Sequence, residues 1–266
     1  MVSGKSIRLN RITFNGKMLC IPMDHGVTIG PVKGLDEIFK TIDLVQKGGA
    51  SAVLLHKGII KSLPKTLNIG IIMHFSASTI FSLSPNRKMI VSSIEEALRL
   101  GVDAVSIHVN IGCDEEHEMI SSLGELADEC DEWNIPLIAM MYPRGQRIKN
   151  EFDPEIVAHV ARIGAELGAD IVKTVYTGST ESFKKVVNSC PVPIVIAGGP
   201  KVENDKQVLE MAKGAMDAGA IGVTFGRNVF QHENPKAIVK ALANIVFKRK
   251  SIEEALEVLN KEWTKK

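Results

Sequence analysis

The chain has 266 residues, near the usual size of one (β/α)8 barrel, with 45% hydrophobic and 24% charged residues and a formal net charge of +1. Basic and acidic residues are interspersed and aromatic side chains make up only 5%, which argues against a nucleic-acid platform of clustered cations and stacking rings. No apolar run approaches the roughly 20 residues of a membrane span, no signal core follows Lys5, Arg8 and Arg11, and Cys20, Cys113, Cys130 and Cys190 form no paired motif, so a cytoplasmic protein with reduced thiols is expected.

In chain order, eight short apolar runs read as parallel strands covered on both faces: 18–24, 51–57, 69–75, 104–109, 136–142, 170–176, 193–199 and 221–227. Amphipathic helices are predicted between most of them, over 35–47, 93–100, 115–133, 154–167, 181–188, 205–218 and 235–247. The segment 58–68, interrupted by Pro64, has room for one short helical turn. The tail 251–266 reads as a final amphipathic helix, with Ser251 as N-cap and Glu254 completing a capping box.

Four helix ends run into strands through a similar passage: Gly48-Gly49-Ala50-Ser51, Gly101-Val102-Asp103, Gly168-Ala169-Asp170 and Gly219-Ala220-Ile221. Glycine there supplies the left-handed cap that turns the chain into the next strand. Repeated right-handed βα units of this kind close naturally into a barrel. The expected fold is therefore α/β, a single-domain (β/α)8 TIM barrel over residues 1–266 with a C-terminal helix. A doubly wound open sheet is the competing architecture.

In a barrel the active site lies at the carboxyl ends of the strands. The runs end there in Asp24-His25-Gly26, His56-Lys57, His74, His108-Val109-Asn110, Tyr142-Pro143-Arg144-Gly145, Gly198-Gly199-Pro200-Lys201 and Gly226-Arg227-Asn228. The opposite ends offer mostly Ala, Gly, Pro and Asp. Lys173 differs by lying inside its strand, among Ile171, Val172, Thr174 and Val175.

Lysine is almost never fully buried unless paired. Desolvation and a nearby cation would lower its pKa and give the neutral amine that attacks a ketone. The competing reading is an ammonium that threads outward or pairs with a carboxylate. Lys57 and Lys201 lack the apolar setting, and Lys201 better suits a phosphate.

The glycine-bearing turns at Gly198, Gly199 and Gly226, with Arg227, suit a phosphate. Asp24 could steer proton transfers or hold hydroxyls, or simply form a salt bridge. Tyr142 beside Arg144 could donate and recover a proton, or pack as a ring at a strand end. Three of His25, His56, His74 and His108 could bind zinc, although none has local ligand spacing, and no metal site is expected.

The motifs Ile21-Pro22-Met23-Asp24-His25-Gly26, Met141-Tyr142-Pro143-Arg144-Gly145, Ala169-Asp170-Ile171-Val172-Lys173-Thr174, Ala197-Gly198-Gly199-Pro200-Lys201 and Gly226-Arg227-Asn228 resemble the archaeal-type class I fructose-bisphosphate aldolase family. The resemblance spans roughly residues 7–245, with the motifs in the family's order. It implies a barrel in which Lys173 carries a Schiff base, Tyr142 is the acid/base for the ketose carbons, and Asp24 assists proton transfer. His25, Arg144, Gly198, Gly199, Lys201, Gly226 and Arg227 would bind substrate or phosphate, with no cofactor beyond the covalent imine. It further implies phosphorylated ketose and aldehyde substrates, and a homo-oligomer of pentameric rings, up to a decamer.

Two branches compete. One cleaves fructose 1,6-bisphosphate to dihydroxyacetone phosphate and glyceraldehyde 3-phosphate, and some members also form 6-deoxy-5-ketofructose 1-phosphate from methylglyoxal. The other is 2-amino-3,7-dideoxy-D-threo-hept-6-ulosonate synthase, a transaldolase-type enzyme of aromatic amino-acid biosynthesis that uses aspartate semialdehyde.

Met140-Met141-Tyr142 looks like the synthase, since the sugar-bisphosphate aldolases tend to carry Trp at the position of Met140. The segment 58–68 lacks the synthase's His- and Gly-rich insert, and His74-Phe75-Ser76-Ala77-Ser78-Thr79 looks like the aldolase. The expectation leans to the aldolase. A sugar-phosphate sensor without turnover is the non-enzymatic rival, and it would not need Lys173, Tyr142 and Asp24.

Overall fold

A computed structural model describes residues 3–263. In chain order the elements begin α1 (Gly4–Ile12), β1 (Met18–Pro22), α2 (Gly26–Ile29), α3 (Ile38–Gly48), β2 (Ala52–Leu55), α4 (Lys57–Lys61) and β3 (Gly70–His74). There follow β4 (Ser76–Ala77), β5 (Met89–Ile90), α5 (Ile94–Arg99), β6 (Ala104–Ile111), α6 (Glu116–Glu132), β7 (Leu137–Pro143), α7 (Pro154–Glu166) and β8 (Ile171–Thr174). The chain finishes with α8 (Thr180–Ser189), β9 (Ile194–Ala197), α9 (Asp205–Asp217), β10 (Gly222–Thr224), α10 (Arg227–Phe230), α11 (Pro235–Lys248) and α12 (Ile252–Trp263).

Eight of the strands form a closed parallel barrel in the order β1-β10-β9-β8-β7-β6-β3-β2. Closure rules out the open sheet, and each barrel strand falls on one of the eight predicted runs. Most runs overreach because their last residues, such as Asp24 and Lys57, have passed the end of the ladder into the loops. Each helix predicted between strands is present within a few residues, and α4 supplies the short turn expected in 58–68. The α12 start carries the expected box: Glu254 N donates to Ser251 Oγ at 3.2 Å and Ser251 N to Glu254 Oε2 at 2.8 Å. Residues 264–266 of that predicted helix lie outside the described residues. No described helix is long and apolar enough to cross a membrane.

The four helix-to-strand glycines all have positive φ, +97° at Gly49, +69° at Gly101, +95° at Gly168 and +105° at Gly219. That region is open to glycine at no steric cost. Strand periodicity then divides the core in two. Cys20, Leu54, Ile72, Ala104, Ile138, Met140, Ile171 and Val195 fill the barrel interior, while Leu19, Val53, Met73, Val105, Ala139, Val172 and Ile196 face the helices.

Two features escaped the periodicity. Helix α1 closes the amino end of the barrel: Ile12 is fully buried against the interior residues. A Cβ at Gly70 would lie 2.7 Å from the Arg11 carbonyl oxygen and 2.8 Å from Ile12 Cα, so only glycine lets the plug seat. Ion pairs pin it, Arg11 Nε to Asp103 Oδ1 at 2.9 Å and Lys5 Nζ to Asp170 Oδ2 at 3.1 Å. The second feature is the antiparallel pair β4–β5, inserted between β3 and α5 on the carboxyl side.

Candidate active site at the carboxyl end of the barrel

A cavity of about 700 Å³ opens at the carboxyl ends of the strands. Every second residue of a barrel strand points inward. That alternation puts Asp24, His56, His74, His108, Tyr142 and Lys173 on the cavity wall from six different strands or strand ends. The register sets Lys173 level with Met140 on β7 and Val195 on β9.

Lys173 is 6% exposed, the one buried lysine or arginine among the described residues. Its Nζ lies 3.8 Å from Met140 Sδ. Burial by itself pushes the amine down, as the residue pattern suggests, but the neighbours correct that expectation. No cation dominates beside it; Tyr142, Asp24 and Cys20 attract the ammonium, and the net shift is upward. The resting group is therefore an ammonium, with the Asp24 carboxylate acting on it.

Burial alone would raise the Asp24 carboxyl, but the combined field of His25, His74 and Lys173 outweighs it and holds Asp24 well below the usual carboxylate range. His74 Nε2 stands 3.7 Å from Asp24 Oδ2, and its Nδ1 shares a 2.8 Å hydrogen bond with Ser106 Oγ. Burial pulls His74 down to about 3. His25 and His56 are also pushed down by burial, and His108 is well below its ordinary value for the same reason. At neutral pH these are uncharged imidazoles facing a carboxylate. His108 packs edge-on against the Tyr142 ring, with centroids 4.9 Å apart, and its Nε2 meets Asn110 Oδ1 at 2.8 Å. Among the described residues, no three His, Cys, Asp or Glu side chains gather as metal ligands.

The predicted anion-binding residues separate into two groups. His25, Arg144, Gly198, Gly199, Gly226 and Arg227 line the cavity. Lys201 does not join them: its exposed Nζ donates to the Gln231 carbonyl at 2.8 Å. Two of the glycines have packing reasons. A Cβ at Gly226 would lie 2.7 Å from His25 Cε1, and one at Gly198 would lie 2.8 Å from Phe225 Cδ1. Gly199 differs, with φ of +64° and open space before it.

Asn228 ties the two turns together: its Nδ2 donates to the Gly198 carbonyl at 2.7 Å and its Oδ1 accepts from Val202 N at 2.9 Å. Arg227 Nε is buried without a partner, and its guanidinium is pulled down by burial and by Arg144 nearby. A buried donor left open costs about 1–3 kcal/mol, which a bound anion would relieve.

Lys88 also lines the cavity, and sequence patterning missed it. It follows a Ser84-Pro85-Asn86 turn with neither helical nor strand period. The one signal was position, a basic residue in the loop after a barrel strand ending in His74.

Residues 18–232 match the family described as DeoC/LacD family aldolase. The chain is 44% identical to 2-amino-3,7-dideoxy-D-threo-hept-6-ulosonate synthase 1 of Archaeoglobus fulgidus, covering 96% of this chain and 95% of that one. Identity to the synthase of that name in Halobacterium salinarum is 42%, over 96% of each chain. An archaeal fructose-1,6-bisphosphate aldolase, solved with its catalytic lysine covalently bound to the carbinolamine intermediate, superposes with a TM-score of 0.86 at 29% identity, covering 92% of this chain and all of that one. With relatives this similar along almost the whole length and a barrel mouth built around a buried lysine, the chain is an aldolase of the DeoC/LacD family.

Proposed function

We propose that Lys173 forms a Schiff base with the C2 carbonyl of a phosphorylated ketose, and that the chain makes and breaks a carbon–carbon bond through the resulting enamine. The observation that carries the reading is Lys173, the one buried lysine among the described residues, acted on by Tyr142 and Asp24 in a cavity with an unsatisfied arginine at its rim.

The ketose phosphate would sit with its anion at Gly199 and Arg227 and its carbonyl at Lys173. Attack requires the ammonium to shed a proton, and the Asp24 carboxylate is the ionised base whose field reaches it. Loss of water gives the iminium, which withdraws electrons as the C3–C4 bond breaks and a base takes the C4 hydroxyl proton. Tyr142 then protonates the enamine carbon, or a second aldehyde captures it.

The 44% and 42% identities to hept-6-ulosonate synthases favour capture, which makes the enzyme a transferase with aspartate semialdehyde as acceptor. Cleavage of fructose 1,6-bisphosphate is the second reading. It is supported by 32% identity to a class 1 fructose-bisphosphate aldolase of Thermoproteus tenax and by the aldolase fold match. Assembly into pentamer-based rings belongs to the same proposal, and light scattering tests it.

Borohydride reduction in the presence of dihydroxyacetone phosphate, fructose 1,6-bisphosphate or 6-deoxy-5-ketofructose 1-phosphate should add a stable mass to Lys173. No adduct with any of the three overturns the Schiff base. Product analysis with aspartate semialdehyde, glyceraldehyde 3-phosphate and methylglyoxal as acceptors separates the two readings.

A further inference from the structure

The loop between β3 and α5 carries a cation whose surroundings contain no carboxylate bonded to it. Lys88 is half-buried on the cavity wall, and its Nζ donates to Ser78 Oγ at 2.6 Å and to the Pro85 carbonyl at 2.9 Å. Both partners are neutral, and no ion pair to Lys88 occurs among the described residues. Arg144 is close enough to repel it, and burial together with Arg144 pulls Lys88 below the ordinary lysine value. Among the described residues Arg144 itself has only Glu151 as an ion-pair partner, at 3.8 Å, and lies 5.4 Å from the Tyr142 ring centre. Two cations share this side of the cavity with one loosely held carboxylate, Glu151, while Asp24 acts on Lys88 through its field without a bond to it.

The segment that delivers Lys88 is fastened to the barrel at several points. Asn110 Nδ2 donates to the Asn86 carbonyl at 2.7 Å, Val91 N to the Phe75 carbonyl at 2.9 Å, and Ile80 N to the Thr28 carbonyl at 3.2 Å. Thr28 Oγ1 donates back to the Ser78 carbonyl at 3.0 Å, and His108 N donates to Ser76 Oγ at 2.9 Å. A pinned loop holds its ammonium in place before any ligand arrives, which lowers the ordering cost of binding.

Barrel order gives the direction of the ligand. Around the closed sheet come β10 and β9 with Arg227 and Gly199, then β8 with Lys173, β7 with Tyr142, β6 with His108, and β3 leading to Lys88. Lys88 acts on the His108 ring, which packs on Tyr142. That sequence of groups parallels an aldol adduct from phosphate, through the imine carbon and the new carbon–carbon bond, to the far end of the acceptor.

We propose that Lys88 binds the anionic tail of the acceptor aldehyde, so that the site selects acceptors bearing a phosphate or carboxylate over uncharged ones. The inference rests on the Schiff-base reading above. In the step concerned, the enamine carbon bonds to the acceptor's carbonyl carbon, the carbonyl oxygen takes a proton, and Lys88 holds the tail without entering the bond changes.

The test uses whichever donor gives the borohydride adduct with the unaltered protein; absence of any adduct removes the Schiff-base reading before Lys88 is at issue. With that donor, kcat/KM is measured for glyceraldehyde 3-phosphate and aspartate semialdehyde, and for the uncharged glyceraldehyde and methylglyoxal. Lys88→Met should lower the charged-to-uncharged ratio by about tenfold, the loss of one charge-assisted contact, and Lys88→Arg should restore most of it. A drop confined to glyceraldehyde 3-phosphate identifies a phosphate tail; one confined to aspartate semialdehyde identifies a carboxylate tail. A ratio within threefold of the unaltered protein for both charged acceptors overturns the proposal, whatever happens to the separate rates, because a merely structural role moves all acceptors alike.

Discussion

The two ends of the barrel are made of the same strands and treat polar groups in opposite ways. At the amino end, α1 fills the opening with Ile12, and charges are answered: Arg11 meets Asp103, Lys5 meets Asp170, and both aspartates also accept a strand N–H, from Ile71 and Leu137 respectively. At the carboxyl end, Arg227 Nε is buried without a hydrogen-bond partner, Asp24 Oδ1 and His25 Nδ1 have no hydrogen bond and face each other at 3.4 Å, and no atom of α1 is in that condition. Satisfied polar groups stabilise a fold, whereas open ones at a cavity await a ligand. One end of the molecule is built to be stable and the other to bind and react.

The comparison breaks most directly at Lys173. Lys173→Met should abolish the borohydride adduct and turnover together while leaving the melting temperature the same or higher, because a buried charge is replaced by a methionine of similar shape. A large loss of stability would place Lys173 with the structural end instead. Smaller losses are expected from its neighbours. Tyr142→Phe should reduce kcat by about 10²–10⁴-fold, the range for a missing general acid or base. Asp24→Asn should fall in the same range and also shift the rising limb of imine formation to lower pH. The Asp24 charge helps hold the Lys173 ammonium above its ordinary value, so removing that charge eases deprotonation. An unmoved limb in stopped-flow trapping would show that the two groups do not communicate.

The amino end should show the reverse pattern. Ile12→Ala leaves a gap beneath the barrel and should cost about 2–5 kcal/mol in denaturant titration, with kcat/KM per folded molecule unchanged. Altered kinetics at full folding would mean that the plug reaches the active site. The mildest effect is a pH slope. His74 is about 3 when folded against an ordinary 6.5, and His25, His56 and His108 are displaced the same way. The unfolded chain therefore binds protons that the folded one refuses. Stability is complete above pH 6.5 and declines as the pH falls toward the folded values. Measured between pH 6.5 and 4.5, above the range where Asp24 titrates, the melting temperature of His74→Gln should decline less steeply than that of the unaltered protein.

Much of this is legible in the sequence. Eight buried strands show as continuous apolar runs because both of their faces are covered, and the glycine caps mark each return to the barrel. Asp24, Tyr142 and Lys173 stood out as reactive residues at or inside strand ends. Helix α1 was not legible, since only its charges at Lys5, Arg8 and Arg11 stood out and its seat depends on the room that Gly70 makes for it. Lys201 looked like a phosphate ligand from its Gly-Gly-Pro turn, but the turn carries its side chain outward to Gln231. Lys88 had no local pattern at all and reaches the cavity only because Asn110 and Thr28 hold its loop there.

Local pattern thus determined the strand and helix content, the barrel class and the residues proposed to carry the chemistry, because periodicity and turn preferences are properties of neighbours along the chain. The charge state of Lys173 was decided only in three dimensions. Burial pushes the amine down, as its apolar flanks foretell, but Tyr142, Asp24 and Cys20 arrive from other strands and reverse the direction. Electrostatic energy depends on distance through space, and distances between strands are set only when the barrel closes.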